Sequence, residues 1–169
     1  MKIVLRICLG IVALFCLTFA NPSYALASCT GSSVTPSPQY GGNGGDPFTD
    51  IAKSTQEVSS IRIRSGEEID LIQICFRDQE GKIDCKGEHG GNGGSPSTFN
   101  LAPGEFINKI EIRSGARIDQ LKFFTNTGNV SPTYGGTGGS PHIISDICLN
   151  GIAGRSGARL DAFQAFNGL

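Results

Sequence analysis

The sequence predicts an all-β protein in which three small antiparallel sheets close around a common axis with quasi-threefold symmetry. Three observations predict it. A Gly-Gly-x-Gly-Gly loop occurs three times, at Gly41-Gly42-Asn43-Gly44-Gly45, Gly90-Gly91-Asn92-Gly93-Gly94 and Gly135-Gly136-Thr137-Gly138-Gly139. A second motif follows each loop in step: Arg64-Ser65-Gly66-Glu67-Glu68-Ile69-Asp70, Arg113-Ser114-Gly115-Ala116-Arg117-Ile118-Asp119 and Arg155-Ser156-Gly157-Ala158-Arg159-Leu160-Asp161. Two motifs recurring in the same order mark an internal repeat, here roughly residues 40–88, 89–133 and 134–169. Around them the chain alternates apolar and polar residues at period two, and no sustained 3.6-residue period is present.

The first element is a targeting segment. Lys2 and Arg6 supply positive charge, and Ile7 to Ala20 is an apolar run too short for a comfortable membrane span. Ala25-Leu26-Ala27 offers the small-x-small pattern cut by signal peptidase. The expected domains are therefore a signal peptide over residues 1–27 and a single domain over 28–169, exported to the exterior or the periplasm. Leu26-Ala27-Ser28-Cys29 also fits a lipobox, so a lipoprotein anchored at Cys29 is the alternative. No membrane insertion is expected once the leader is removed.

Composition suits a turn-rich folded domain. Glycine contributes 24 of 169 residues, about double average usage. Lys and Arg number 14 against 15 Asp and Glu, for a net charge of -1. That balance argues against nucleic acid, which selects basic patches.

The strands follow. Ser60-Ile61-Arg62-Ile63-Arg64 and Lys109-Ile110-Glu111-Ile112-Arg113 alternate strictly, and Ile69 to Phe76 and Ile118 to Phe124 are rich in β-branched and aromatic residues. Each repeat reads as one small sheet. One such sheet cannot bury its apolar face alone; three can share a core. Cys75 and Cys85 flank a polar stretch with a Gly that reads as a hairpin turn, so a bridge across its strands is expected. Of the six cysteines Cys8 and Cys16 leave with the leader, so Cys29 and Cys148 remain for a second bridge, an even count that suits an exported chain. With no CxxC and only His89 and His142, neither a metal nor another cofactor is expected. Asn129-Val130-Ser131 is a sequon weakened by Pro132.

The chemistry lies in Gly-x-x-x-Asp. Glycine permits a sharp turn, and successive N–H groups of such a turn can point outward together. The aspartate then stands beside those donors with two acceptor oxygens. Vicinal sugar hydroxyls can donate to the carboxylate and accept from the amides. A turn-capping role for Asp70, Asp119 and Asp161 is the plainer reading, but the recurrence beside three glycine-rich loops favours binding.

At these residues the sequence resembles the jacalin-related lectins, from about Tyr40 to Phe166. The similarity is strongest to a three-site, high-mannose-binding algal branch of that family. It is carried by Gly104-Glu105-Phe106-Ile107, Ile112-Arg113-Ser114-Gly115, Phe124-Thr125-Asn126-Thr127-Gly128 and Gly154-Arg155-Ser156-Gly157 with Leu160-Asp161-Ala162. The resemblance implies the β-prism I fold, three antiparallel four-stranded sheets. It implies that Asp70, Asp119 and Asp161 each take two hydroxyls of a terminal mannose or glucose. Amides of Glu67 and Glu68, of Ala116 and Arg117, and of Ala158 and Arg159 would complete the sites, with one more amide from Gly45, Gly94 and Gly139. The implied partners are glycans and glycoproteins, and the family leaves monomer and homodimer both open. One departure stands out: that branch carries Tyr two residues before the Asp, where this chain has Glu68, Arg117 and Arg159. Site one, with Glu67, Glu68 and Asp46 around Asp70, is expected to repel acidic sugars; sites two and three each gain an Arg. His89 and His142, beside the glycine loops, are expected to be ordinary surface residues.

An enzyme is not expected. Glycoside hydrolysis needs paired carboxylates, which only the first site could offer, and no nucleophile–base arrangement is evident. A structural or envelope protein of the same fold without sugar binding is the competing class.

Overall fold

A computed structural model describes residues 29 and 33–168; the predicted leader, residues 1–27, lies outside the described residues. Among the described residues every regular element is a strand. The first strands are β1 (Thr35–Pro36), β2 (Tyr40–Gly41) and β3 (Asp46–Ile51), followed by the hairpin β4 (Gln56–Ser65) and β5 (Ile69–Asp78) and the short β6 (Ile83–Cys85). The pattern then repeats with β7 (His89–Gly90), β8 (Ser95–Asn100), β9 (Ile107–Ser114) and β10 (Ile118–Thr125). It repeats again with β11 (Tyr134–Gly135), β12 (Ser140–Ile144), β13 (Leu149–Ser156) and β14 (Leu160–Asn167).

Three antiparallel sheets result. One contains β6, β5, β4 and β8, with β7 also on β5. The second is β11, β10, β9 and β12; the third is β1, β14, β13 and β3, with β2 also on β14. Each has four rows, as predicted. The row beyond the second hairpin strand is broken: β6 and β7 share one edge of β5, and β1 and β2 share one edge of β14. In the second sheet the same row is β11 plus a bridge from Val130 to Phe124. The row ends at the glycine loops, where φ is +125° at Gly90 and +103° at Gly41.

Repeat and sheet do not coincide, which corrects the expectation of one sheet per repeat. The glycine loop and following strand of each repeat pair with the hairpin of the repeat before it. Thus β8 lies on β4 and β12 on β9. β3 closes the cycle on β13 near the other end of the chain. Antiparallel pairing allows this because each outer strand begins directly after a loop that folds back beside the preceding hairpin tip.

The core forms where the three inner faces meet. Ile61, Ile110 and Ile152 occupy equivalent positions and are at most 1 % exposed; Ile72, Leu121 and Phe163 are fully buried beside them. Gly154 stands where the other sheets place Ile63 and Ile112, and the Phe48 ring fills the space it leaves. Both expected disulfides are formed. Cys75 and Cys85 are direct register partners on β5 and β6, and Cys29 joins Cys148 just before β13.

Candidate functional site

Each hairpin tip carries a bulge, and the aspartate is the bulged residue. Ser65 pairs with Ile69 and Arg64 with Leu71, so Asp70 is skipped. Asp119 is skipped between Ile118 and Gln120, and Asp161 between Leu160 and Ala162. A bulge re-aims a side chain while the strand continues. Here it lets Ile69 face the core and turns the next residue toward a glycine loop.

The loop beside each aspartate belongs to the same sheet. A Cβ on Gly93 would overlap Asp70 Oδ1, and one on Gly94 would lie 2.5 Å from Asp70 Oδ2. Gly138 and Gly139 stand in the same relation to Asp119, and Gly44 to Asp161. The sites therefore combine Asp70 with Gly94, Asp119 with Gly139 and Asp161 with Gly45. The last pairing joins the first loop to the last motif, through the closure of β3 on β13.

The arginine of each motif has a role that sequence reasoning did not assign. Arg64 donates through Nε to the Gly93 carbonyl and through Nη2 to the Gly94 carbonyl, both at 2.8 Å. Arg113 holds Gly138 and Gly139 in the same way, and Arg155 holds Gly44 and Gly45. A planar guanidinium makes such a two-point clamp; an ammonium cannot. The recurrence of Arg ahead of each Ser-Gly was the available signal.

The turns leave donors unspent. Gly66 donates to the Glu68 carbonyl, Gly115 to Arg117 and Gly157 to Arg159. The amides between, on Glu67, Glu68, Ala116, Arg117, Ala158 and Arg159, have no backbone acceptor among the described residues. The three carboxylates likewise accept no hydrogen bond from the described residues, though Asp70 and Asp161 are 4 % and 9 % exposed. A buried carboxylate left with open acceptor positions beside open amides is prepared for a ligand bearing hydroxyls.

Comparison with known proteins decides the family. Residues 37–166 match the model of the jacalin-like lectin domain. The chain belongs to the jacalin-like lectin family. A mannose-binding jacalin-related lectin from Ananas comosus shares 28 % identity and superposes with a TM-score of 0.70 over 79 % of this chain and 96 % of that one. Malaysian banana lectin shares 26 % identity, with a TM-score of 0.71 over 80 % of this chain and 98 % of its own. Frutapin from Artocarpus incisa, at 22 % identity and a TM-score of 0.73 over 82 % of this chain and 99 % of its own, shares the fold. A search of curated protein sequences finds no match. The family consists of carbohydrate-binding lectins rather than enzymes, and this jacalin-like domain has its β-prism architecture.

The charges around the sites are distributed differently from the sequence expectation. Each glycine loop also touches the turn of a neighbouring sheet. Gly136 donates to the Glu67 carbonyl, and added Cβ atoms on Gly42 and Gly91 would meet Ala116 and Ala158. A neighbouring turn's arginine is therefore the side chain that Asp70 and Asp161 see. Arg159 Nε lies 3.9 Å from Asp70 Oδ1, and Arg117 Nε lies 3.7 Å from Asp161 Oδ1. Asp119 faces the turn that carries Glu67 and Glu68. Asp46, placed by sequence at the Asp70 site, pairs with Ser156 beside Asp161. Site one is thus not the acidic one; position along the chain was the wrong guide to position around the axis.

Glu68, Arg117 and Arg159 meet where the three turns converge. Glu68 Oε2 is 2.8 Å from Arg159 Nη1 and 3.2 Å from Arg117 Nη1. The histidines are not free surface residues. His89 stacks on Phe48 with ring centroids 3.7 Å apart and bonds Asp50 at 2.7 Å, while His142 stacks on Tyr40. Both rings clasp one sheet to the next. The sequon serine is structural as well: buried Ser131 accepts the Phe123 amide and donates to the Pro132 carbonyl.

Proposed function

We propose that this jacalin-like protein is a secreted, multivalent lectin for mannose- or glucose-type glycans of the high-mannose class. Its three sites are Asp70 with Gly94 and the amides of Glu67 and Glu68, Asp119 with Gly139 and the amides of Ala116 and Arg117, and Asp161 with Gly45 and the amides of Ala158 and Arg159. The observation that carries this reading is the threefold repetition of a carboxylate, buried at Asp70 and Asp161 and half-buried at Asp119, with open acceptor positions beside amides uncommitted among the described residues. The mannose-binding Ananas comosus relative supports the sugar class. Charge-assisted bonds of this kind contribute about 1.5–3 kcal/mol each, so a shallow single site holds one sugar weakly and three together gain through effective concentration. Export by cleavage after Ala27 is supported by the apolar leader and by the Cys29–Cys148 bridge, which suits an oxidising compartment.

The test is to express the whole chain, recover it from the exported fraction and read its N-terminus, then apply it to a glycan array with free mannose as competitor. An N-terminus at Ser28 and mannose-reversible binding to high-mannose glycans are expected. Retention in the cell would refute export. Silence across the array from folded protein would refute sugar binding and favour a structural role for the prism.

A further inference from the structure

We infer that the three sites differ in chemistry, and that the Asp70 and Asp161 sites take sugars carrying an anionic substituent, while the Asp119 site takes neutral sugars only. The inference rests on the sugar-binding reading above and adds a substrate class to two of its sites. The ligand group is an oxyanion borne on the sugar, either a sulfate ester or a uronate carboxylate.

The argument starts from the cyclic displacement of side chains. The arginine two places before Asp119 and the one two places before Asp161 each reach the aspartate of a neighbouring sheet. Arg159 comes to Asp70 and Arg117 comes to Asp161, whereas the turn reaching the Asp119 loop presents Glu67 and Glu68. A guanidinium has five N–H donors on a rigid fork. In each arginine one Nη is committed to Glu68, and the Nε stands 3.7–3.9 Å from the site carboxylate, beyond hydrogen-bond reach. The remaining edge has no acceptor among the described residues, and the two side chains are 49 % and 42 % exposed.

Glu68 makes this arrangement specific. A single carboxylate shared by two guanidinium groups fixes both in orientation without neutralising both. Each arginine is thereby held toward a neighbouring aspartate with one edge open to an incoming oxyanion, for which its planar fork is suited. A neutral hydroxyl would use one of those donors; a sulfate or carboxylate would use two and gain the charge interaction. The turn that reaches the Asp119 loop carries Glu67 and Glu68 in place of an arginine, so no guanidinium among the described residues is paired with that aspartate to offset its charge toward an anion.

The test resolves the sites one by one. The amides of Gly45, Gly94 and Gly139 report the Asp161, Asp70 and Asp119 sites in a ¹H–¹⁵N titration of the whole exported protein. The probes are methyl α-mannoside, a sulfate ester of it, and glucuronate. Gly45 and Gly94 are expected to respond to at least one acidic sugar at about two- to fivefold lower concentration than to the neutral one, the scale of an exposed charge pair. Gly139 should respond to the neutral sugar alone. The sugar that produces the preference identifies the anion. Arg117→Gln should abolish the preference at Gly45 and keep it at Gly94, and Arg159→Gln the reverse. Acidic sugars that bind all three sites alike, or bind Gly45 and Gly94 more weakly than the neutral sugar does, would overturn the inference and leave the lectin reading intact. No response to any sugar, from folded protein, would overturn both.

Discussion

Asp70, Asp119 and Asp161 owe their accessibility to side chains that are absent. The glycine loop approaches so closely that a single methyl on Gly93 or Gly138 would overlap a carboxylate oxygen. Gly94 adds a conformational demand, with φ at +59° and Asp70 Oδ2 2.5 Å from an added Cβ. Gly94→Ala is expected to silence the Asp70 site in a sugar titration and leave the other two, because β8 and the remaining loops are untouched. Asp119→Asn keeps the shape and removes the charge; by isothermal calorimetry the number of sites should fall from three to two, with affinity at that site reduced about tenfold or more. Three full sites in either variant would show that another group holds the sugar. The residue types of the site were legible, because three recurrences of Gly-x-x-x-Asp beside three glycine loops distinguish a binding turn from an ordinary one. The bulge was legible too, though less plainly. Core-facing residues step from Ile69 to Ile72 and then to Ile74, and the same extra residue separates Ile118 from Leu121 and Leu160 from Phe163. A slip of one residue in a period-two pattern is the sequence trace of a bulge. Which loop serves which aspartate was not legible, because that depends on how strands far apart in the chain pair.

At the scale of the element, the connections are held as firmly as the strands. Glu105 shows how. Its buried carboxylate accepts the Ala102 amide at 2.9 Å, Thr125 Oγ1 at 2.8 Å and Thr127 Oγ1 at 2.7 Å, and so ties the bend before β9 to the turn after β10. Burial is the largest single influence on this group and raises its pKa. The hydrogen bonds from Ala102, Thr127, Thr125 and Asn129 together outweigh it and hold the carboxyl below its ordinary value of 4.5. A carboxyl with a depressed folded-state pKa contributes stability that is fully present above its unfolded value and is lost as pH falls through the folded one. Glu105→Gln should therefore lower the melting temperature at neutral pH, and the gap between variant and parent should narrow as the pH is taken below about 4.5. Thermal melts at a series of pH values check this; a gap independent of pH would mean that the carboxylate's charge is immaterial. The same bend was visible in sequence only as Gly104-Glu105-Phe106, with no sign that the glutamate turns inward. Burial of a charged side chain depends on donors brought from elsewhere, here from a turn about twenty residues downstream.

The whole molecule depends on its two ends meeting. Two sheets are built from nearly continuous stretches, and their hairpins and alternation could be read directly. The third combines β1, β2 and β3 from the start of the described domain with β13 and β14 from its end. Reading each repeat as its own sheet missed this, because self-similarity reports what recurs and not where a cyclic arrangement closes. Closure brings together strands separated by more than a hundred residues, and the Cys29–Cys148 bridge secures them across a sequence separation of 119. The Cys75–Cys85 bridge spans a separation of 10 within one sheet. If a bridge acts mainly by limiting the unfolded chain, the long loop is worth about 5 kcal/mol and the short one about 3. Cys29 and Cys148 are both buried, whereas buried Cys75 is bridged to an exposed Cys85, so lost packing acts in the same direction as the longer loop when Cys29 and Cys148 are replaced by Ala. Calorimetry of the two double variants should then show the Cys29→Ala, Cys148→Ala protein melting roughly 4–8 °C below the Cys75→Ala, Cys85→Ala protein. The opposite order would mean that pairing of β3 with β13 and of β1 and β2 with β14 closes the prism unaided, and that the edge hairpin is where this fold needs a covalent tie.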